Sequence, residues 1–218
     1  TSTIRRVLHA AVLIVPEPRK RPRSSWHRFE AAAPNELLQS DVTDWRLADG
    51  SEVEMSSWLD DHSRYLLGCT AFRRVDGDDV VATFCAAGEA HGWPAATLTD
   101  NGSIYTSRFT GGHNAFEYLL AWLGIRQKNG APNHPQTQGK IERFHQTLKR
   151  WLSQQPAART IKELQAQLDA FRAAYDEARP HRAIGRRTPG EAYRATPKAL
   201  PAGPRARGPA GSALGVAR

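Results

Sequence analysis

The period of apolar residues changes along the chain, from the alternation typical of β-strands to the spacing typical of amphipathic helices. Apolar and polar residues alternate loosely in residues 37–45, and residues 53–59 and 64–72 are also typical of β-strands. The segments between them carry turn sequences, an Asp-Gly pair in the first and residues 60–63 in the second. Three neighbouring strands joined by tight turns predict an antiparallel meander.

After this meander, apolar residues recur with the spacing of amphipathic helices, and short strands separate the helical segments. The predicted order is helix 76–93, strand 95–100, helix 114–124, strand 124–128, helix 140–152 and helix 160–179. A meander followed by alternating helices and strands predicts an α/β protein with a mixed five-stranded sheet flanked by helices. This is the layout of the ribonuclease-H-like fold.

The net charge of +8 is concentrated at the two ends of the chain. Residues 1–28 carry a net charge of +6 and residues 179–218 carry +8, whereas residues 29–178 carry −6. Basic arms around an acidic centre suggest a polyanionic partner such as nucleic acid. Charge, proline content and composition together predict a basic linker at 16–33, a folded core at 34–195 and a disordered basic tail at 196–218.

The composition also bears on the compartment. No apolar run is long enough to span a bilayer, so no membrane partner is expected. Cys69 and Cys85 lie in apolar stretches without the spacing of a metal site, which indicates buried, reduced thiols. These features predict a cytoplasmic protein.

Three carboxylates occupy positions that catalysis could use, and the first is Asp41. It lies in the middle of the first strand on a polar face with Gln39 and Thr43, where a charge is costly unless something binds it. Asp44 is three positions further on, so its side chain points to the opposite face of the strand.

The other two acids also have purely local explanations. Asp100 ends an apolar strand, but it also suits a turn before Asn101-Gly102. Glu142 lies in the first turn of a helix, where the helix dipole alone favours an acid. As a set, the three acids can converge at one edge of the sheet. Such oxygen ligands favour two Mg²⁺ or Mn²⁺ ions, roughly 3.5–4 Å apart, which promote an in-line displacement.

Asp60 and Asp61 are the main rival pair for a metal, although turn residues between two strands is the preferred interpretation. Near Glu142, helical geometry places Gln146 and Lys149 on the same flank, beside the buried stripe. Both are predicted to lie along bound DNA, with Lys149 contacting a phosphate. His145 lies between this stripe and Lys149, and we interpret it as a packing residue.

Five motifs in order resemble the integrase core of bacterial insertion-sequence transposases, a branch of the DDE superfamily that includes retroviral integrases. They are LLQSDVTDW, LDDHSRYLLG, LTDNGSIYTS, HPQTQGKIERFHQTLK and RPHRAIGRRTPGEAY. The resemblance implies a ribonuclease-H-like fold with Asp41, Asp100 and Glu142 as the acidic triad. It also implies Mg²⁺ or Mn²⁺, 3′-end cleavage of the element, strand transfer into target DNA, and several copies of the protein assembled on DNA in the bacterial nucleoid. A helix-turn-helix region precedes such cores, and residues 1–15 resemble its last helix.

This chain departs from the family pattern in two places. Asp100 and Glu142 are 42 positions apart, somewhat more than is usual, and we assign the excess to a surface insertion in residues 108–116, around Gly111. Asp176 stands where the family often has asparagine after a tyrosine.

Further residues are candidates for DNA contact. His134 and Lys140 bracket a loop expected to close on DNA, with Gly130 and Gly139 as hinges. An ordinary polar loop residue is the alternative interpretation of His134. A turn-like segment after Pro180 is predicted to contact the DNA backbone, with a solvated surface as the alternative; its basic residues are Arg182, Arg186 and Arg187.

The sequence therefore predicts a transposase that performs metal-dependent 3′-end cleavage and strand transfer. A truncated, non-catalytic DNA-binding remnant or regulator of transposition is the alternative. A general ribonuclease-H-like nuclease is a third interpretation, and preference for element ends over random duplex distinguishes a transposase from it.

Overall fold

A five-stranded mixed sheet forms the centre of the computed structural model, which describes residues 30–107, 111–129 and 139–203. Its strands are β1 (Leu38–Arg46), β2 (Glu52–Asp60), β3 (Leu66–Phe72), β4 (Ala96–Thr99) and β5 (Arg126–Asn129). They are arranged in the order β3-β2-β1-β4-β5. The first three strands pair antiparallel, whereas β4 runs parallel to both β1 and β5. The predicted meander and mixed sheet are confirmed.

Helices pack on this sheet. They are α1 (Gly77–His91), α2 (Ala115–Leu123), α3 (Gly139–Leu152), α4 (Ile161–Glu177) and α5 (Pro189–Arg194), with a 3₁₀ turn at Arg182–Ile184. The first four helices begin and end within two residues of the predicted bounds. Sequence analysis missed α5 because it is short and follows an arginine-rich segment. A signal was present, since Thr188 and Glu191 form a capping box around Pro189.

Local capping interactions determine where the helices begin. Asp76 and Asp79 form a reciprocal capping box at α1. The box predicted at α4 is formed by half: the Thr160 hydroxyl accepts a hydrogen bond from the Glu163 backbone N–H. The Glu163 carboxylate turns instead to the backbone and guanidinium of Arg159.

Two apolar cores lie on the two faces of the sheet. One is formed between the sheet and helices α3 and α4, and includes Met55, Leu148 and Leu168. The other is formed between the sheet and helices α1 and α2, and includes Trp58 and Phe84. The sheet is therefore covered on both sides, so a charge within a central strand is removed from much of the solvent.

A close approach between α1 and Trp93 requires glycine at position 88. A Cβ there would lie 2.3 Å from two atoms of the Trp93 ring. Alanine gains about 1 kcal/mol of helix propensity over glycine, but overpacking a core costs roughly 1–3 kcal/mol. We expect Gly88→Ala to lower the free energy of unfolding in urea by about 1 kcal/mol. The control is Gly77→Ala in the same helix, where a Cβ meets no atom within 4 Å. Equal stability of the two variants would contradict this reasoning.

The described chain ends in contact with the folded body. The Ala199 N–H donates to the Pro34 carbonyl at 2.8 Å, and the Lys198 ammonium donates to the His91 carbonyl at 2.8 Å and lies over the Tyr193 ring. These contacts fall within the segment for which the sequence predicts a disordered tail. The predicted helix at 1–15, and the end of the tail at 204–218, lie outside the described residues.

The described residues bear on two features from which the sequence analysis predicts the compartment: the state of the two cysteines and the length and polarity of the helices. Cys69 is buried and Cys85 half-buried, both as free thiols, and burial raises the pKa of Cys69 to about 11. Within the described ranges, each helix is too short or too polar to cross a bilayer.

Candidate catalytic site

The pairing of β1 with β4 brings Asp41 and Asp100 together. Leu38 pairs with Thr97 in parallel, an offset of 59 positions that also relates Asp41 to Asp100. Asp41 lies within β1, and Asp100 follows the last residue of β4. The register of the sheet therefore places the two acids side by side where β4 ends.

Glu142 reaches the same place from α3. The helix buries Ile141 and Phe144 in the core and leaves Glu142 exposed beside them. The pKa of Asp41 is raised to about 6, first by burial and then by the negative charges of Asp100 and Glu142. Three acids from three separate elements thus interact electrostatically.

Two groups partly oppose the rise in the pKa of Asp41. The Val42 backbone N–H donates to its Oδ1 at 2.9 Å. Lys149, partly buried two turns along α3, lowers its pKa through its positive charge. Lys149 also lines an open surface depression with Asp44, so its side chain is accessible from solvent. Its position is suited to contact with a phosphate.

Asp100 also performs the turn role that the sequence allows. Its Oδ1 accepts a hydrogen bond from the Gly102 N–H at 2.9 Å. A Cβ at position 102 would lie 3.0 Å from the same oxygen, so glycine permits this close turn. The local and the site interpretations of Asp100 are therefore compatible, because one carboxylate accepts the turn hydrogen bond and lies beside Asp41.

His145 is a site residue that sequence reasoning treated only as packing. It is buried, but its Nδ1 also lies 3.6 Å from Oδ2 of Asp41. Burial, and then the charge of Lys149, lowers the pKa of His145 to about 4, so the ring is neutral near pH 7 and the contact is dipolar rather than ionic. Its Nε2 is buried without a hydrogen-bond partner among the described residues. The available signal was its position three residues after Glu142, on the same side of the helix.

Tyr105 is the second residue that was missed. Its hydroxyl lies 2.9 Å from the Ser40 hydroxyl, and the side chain is buried. Burial raises its pKa, and the charges of Asp41 and Asp100 act in the same direction. Tyr105 therefore provides a rigid, neutral support next to the two acids. Tyr105 lies in the LTDNGSIYTS motif, in which the sequence analysis selects Asp100 as the functional residue.

The rival carboxylates are committed to structural hydrogen bonds. Asp60 ends β2 and is buried, with its oxygens accepting from the Asn35 N–H and from the backbone and hydroxyl of Ser63. Asp61 follows in the turn and is bonded to Gln39 and Lys140. Their interpretation as residues of the turn agrees with this placement.

The structure engages Lys140 inside the protein, although the sequence suggested that it contacts DNA. Its ammonium forms an ion pair with Asp61, and only 15% of its side chain is exposed. The Lys140 ammonium is therefore bound by the buried carboxylate of Asp61, a contact that the spacing of residues in the sequence does not reveal. Gln146, by contrast, is exposed on α3, as a DNA contact requires.

Of the remaining candidates for DNA contact, some lie outside the described residues and others lie in an exposed turn. His134 and the proposed hinge Gly130 lie outside the described residues. The turn between α4 and α5 presents three exposed guanidinium side chains, those of Arg182, Arg186 and Arg187. This turn is therefore open to solvent.

The acidic cluster has the donor chemistry of a divalent-cation site. Carboxylate oxygens are the ligands that Mg²⁺ and Mn²⁺ prefer. A cation would also offset the burial of charge and the repulsion from Asp100 and Glu142, which together raise the pKa of Asp41. Over residues 30–107, 111–129 and 139–203, no three His, Cys, Asp or Glu side chains are spaced as a metal-binding group. The residues fit a metal by chemistry and charge, and they form an open cluster rather than a closed cage.

Comparison with protein families decides the relationship of this chain. Two models, both described as the integrase core domain, match residues 31–135 and 123–189. The chain belongs to the integrase core family. The integrase-core assignment, predicted from five sequence motifs, is thereby confirmed.

Relatives with insertion-element names match this integrase core. It is 27% identical over 191 residues to the uncharacterized 31.7 kDa protein of insertion element IS407 from Burkholderia multivorans, covering 86% of this chain and 67% of that protein. It is 34% identical over 102 residues to the putative transposase InsD of insertion element IS2E from Escherichia coli, covering 46% of this chain and 44% of InsD. The match thus spans less than half of the InsD protein.

Solved structures confirm the ribonuclease-H-like fold. The simian T-cell lymphotropic virus intasome, in complex with PP2A regulatory subunit B56 gamma, superposes with a TM-score of 0.67 at 21% identity, covering 88% of this chain and 64% of that chain. The HTLV-2 integrase catalytic core domain in complex with magnesium superposes with a TM-score of 0.60 at 16% identity, covering 75% of this chain and 99% of that chain.

Proposed function

We propose that this integrase core cuts the 3′ ends of a mobile DNA element and joins them to target DNA. Asp41, Asp100 and Glu142 are the proposed catalytic acids. The observation that carries the proposal is that the charges of Asp100, at the end of β4, and Glu142, at the start of α3, both act on the buried carboxyl of Asp41 in β1. Such a concentration of negative charge is costly in a folded protein unless a cation or a reaction uses it.

The three carboxylates would hold two Mg²⁺ or Mn²⁺ ions, which would supply activation of an attacking hydroxyl and stabilisation of the leaving 3′ oxygen. The binding of magnesium by the HTLV-2 integrase core supports this assignment by family. The protein's own residues position these groups. His145 and Tyr105 pack beside the acids, and both are neutral near pH 7.

Residues around the acids would hold the DNA. Lys149 is placed to attract a phosphate next to Asp41, and Gln146 is exposed on the same flank of α3. The exposed arginines of the α4–α5 turn would contact the DNA backbone. His134 remains a prediction. Several copies of the protein would assemble on paired element ends in the bacterial cytoplasm, an expectation that the dimeric and trimeric forms of the HTLV-2 core support.

The test is a joining assay with the full chain on oligonucleotides that carry the ends of its own element, in Mg²⁺ or Mn²⁺. We expect Asp100→Asn and Glu142→Gln each to reduce strand transfer by on the order of 10²–10³-fold, as the loss of one charge-stabilising group does elsewhere. Asp44→Asn is the matched control, because Asp44 is exposed on β1 and does not appear among the charges acting on Asp41.

Undiminished joining by Asp100→Asn or Glu142→Gln would refute the proposal. Salt-sensitive DNA binding by the wild-type protein without any cleavage would favour the regulator interpretation instead. Equal cutting of element ends and random duplex would favour a general nuclease.

A further inference from the structure

A buried carboxylate in the turn after β2 connects the two elements that carry Asp41 and Glu142. Only 1% of the Asp61 side chain is exposed. Its Oδ1 accepts a hydrogen bond from Nε2 of Gln39 at 2.6 Å. Its Oδ2 accepts one from the Ala31 N–H at 2.8 Å and forms an ion pair with the Lys140 ammonium. Lys140 also donates to the Asp61 carbonyl at 3.2 Å, so the ammonium is bound twice to one residue.

Two of the residues bound by Asp61, Gln39 and Lys140, each lie two positions before a proposed catalytic acid in the sequence. Gln39 lies two residues before Asp41 in β1, and residues two apart in a strand share a face. Lys140 lies two residues before Glu142 in the first turn of α3, where residues two apart are about 200° apart around the axis. Holding Lys140 at Asp61 therefore turns the opposite side of that helical turn, with Glu142, away from Asp61.

The bridge supplies direction that packing at the start of α3 does not. A Cβ at Gly139, the first residue of the helix, would meet no atom of the described residues within 4 Å. Ile141 is buried in the core, but an apolar contact is not directional. An ion pair with two hydrogen bonds to one buried residue restricts both the position and the rotation of the first turn.

We propose that Asp61 is a positioning residue, which through Gln39 and Lys140 fixes the first turn of α3 against β1 and so holds Glu142 beside Asp41. This inference rests on the proposed function of the two acids. It gives Lys140 a role in the geometry of the site, in place of contact with DNA.

The experiment compares Asp61→Asn, Lys140→Met and Lys140→Arg in the full chain. Amide hydrogen exchange is measured along α3 and α4, and strand transfer is measured over a range of DNA concentrations up to saturation, so that kcat and KM are both obtained. For Asp61→Asn and Lys140→Met we expect at least about 10-fold faster exchange at residues 143–145, whose amides bond to the carbonyls of the first turn of α3 and so report on that turn. Exchange in α4 should be unchanged. We expect kcat to fall by on the order of 10²-fold with little change in KM, because a misplaced group slows the reaction more than it weakens binding.

Two further proteins make the comparison specific. Lys140→Arg keeps the ion pair and is expected to retain most of the wild-type kcat. Glu177→Gln breaks an ion pair of similar length with Arg194, but both of those side chains are about half exposed, at 50% and 56%. Because exposed pairs contribute little, we expect wild-type exchange in α3 and wild-type joining from this variant.

Each outcome decides the inference. Unchanged exchange at residues 143–145 would overturn the bridge, and so would faster exchange throughout the chain, which indicates general unfolding. Faster local exchange with undiminished joining would overturn the positioning role. If the wild-type protein joins no DNA, the proposed function fails by itself, and the exchange data still establish or reject the bridge.

Discussion

Replacing Asp41 with asparagine is expected to make the protein more stable and to abolish strand transfer. Burial and two neighbouring acids raise the pKa of Asp41 from its ordinary 3.8 to about 6, so its ionised form is unfavourable in the folded state. Removing the charge should raise the free energy of unfolding at pH 7 by about 1–3 kcal/mol, allowing for partial solvation of the side chain. Joining should fall by on the order of 10²–10³-fold or more.

The pH dependence of this stability difference has a definite sign. Because the pKa is higher in the folded state than in the unfolded state, ionisation of Asp41 costs stability as pH rises through its folded pKa. The advantage of Asp41→Asn should therefore be small near pH 4, grow up to about pH 6 and remain constant above it. Urea unfolding at several pH values without divalent metal measures this difference.

Melting temperatures measured with divalent metal distinguish metal binding by Asp41 from simple repulsion between Asp41 and the neighbouring acids. Mg²⁺ or Mn²⁺ that binds only the folded state should raise the melting temperature of the wild-type protein and have a much smaller effect on Asp41→Asn. Asp44→Asn is again the matched control and should behave as wild type. A wild-type melting temperature that ignores both ions, or an Asp41→Asn protein that joins DNA normally, would contradict the assignment of Asp41.

The second large effect concerns Asp176, a position at which the family resemblance leads us to expect asparagine. Asp176 is buried in α4, its Oδ1 accepts from the Leu66 N–H at 2.9 Å, and its Oδ2 has no hydrogen-bond partner among the described residues. Burial raises its pKa to about 8; the Leu66 hydrogen bond and the charge of Arg172 only partly oppose this shift. Asp176→Asn keeps the acceptor and removes the ionisable group.

We expect Asp176→Asn to be more stable than wild type by on the order of 2–5 kcal/mol at pH 9, and nearly equal to it at pH 4. The sign follows from a folded pKa above the unfolded one, so that the wild-type protein loses stability as pH rises from about 4 to about 8. Urea unfolding at pH 5, 7 and 9 tests this, because the two curves should separate progressively.

Asp169→Asn is the control on the same helix, since Asp169 is exposed. It should show no comparable separation with pH. Asp176→Ala removes both the charge and the acceptor for the Leu66 N–H, so it should be less stable than Asp176→Asn at every pH. If wild type and Asp176→Asn keep the same stability from pH 5 to pH 9, the raised pKa of Asp176 is wrong.

Most of the fold could be predicted from patterns that extend over a few neighbouring residues. The alternation in β1 and the helical spacing in α3 and α4 depend on neighbouring residues, so they were readable from the chain and agree with the structure within two residues. The opposite faces of Asp41 and Asp44 follow from strand geometry alone. The short helix α5 was missed because six residues provide too little periodicity, although its capping residues are present.

Contacts between distant elements were less accessible. Lys140 was assigned to DNA because it stands beside the proposed mobile loop, but its ammonium is bound by Asp61, 79 positions earlier. His145 was interpreted as packing because its helix position borders the buried stripe, and its proximity to Asp41 appears only when α3 lies on β1. Charge alone did not distinguish a solvated lysine from a buried one.

Sequence patterns were enough to predict the helices and strands, their order and the three candidate acids, because periodicity, capping and turn chemistry act over a few residues. The proximity of these acids is a property of the tertiary fold, which brings Asp100 and Glu142 close enough to act on the pKa of Asp41. The offset of 59 positions between β1 and β4 puts Asp100 beside Asp41, and the packing of α3 across the sheet brings Glu142 to them. Both depend on burying apolar faces from the whole chain at once, which no local segment specifies.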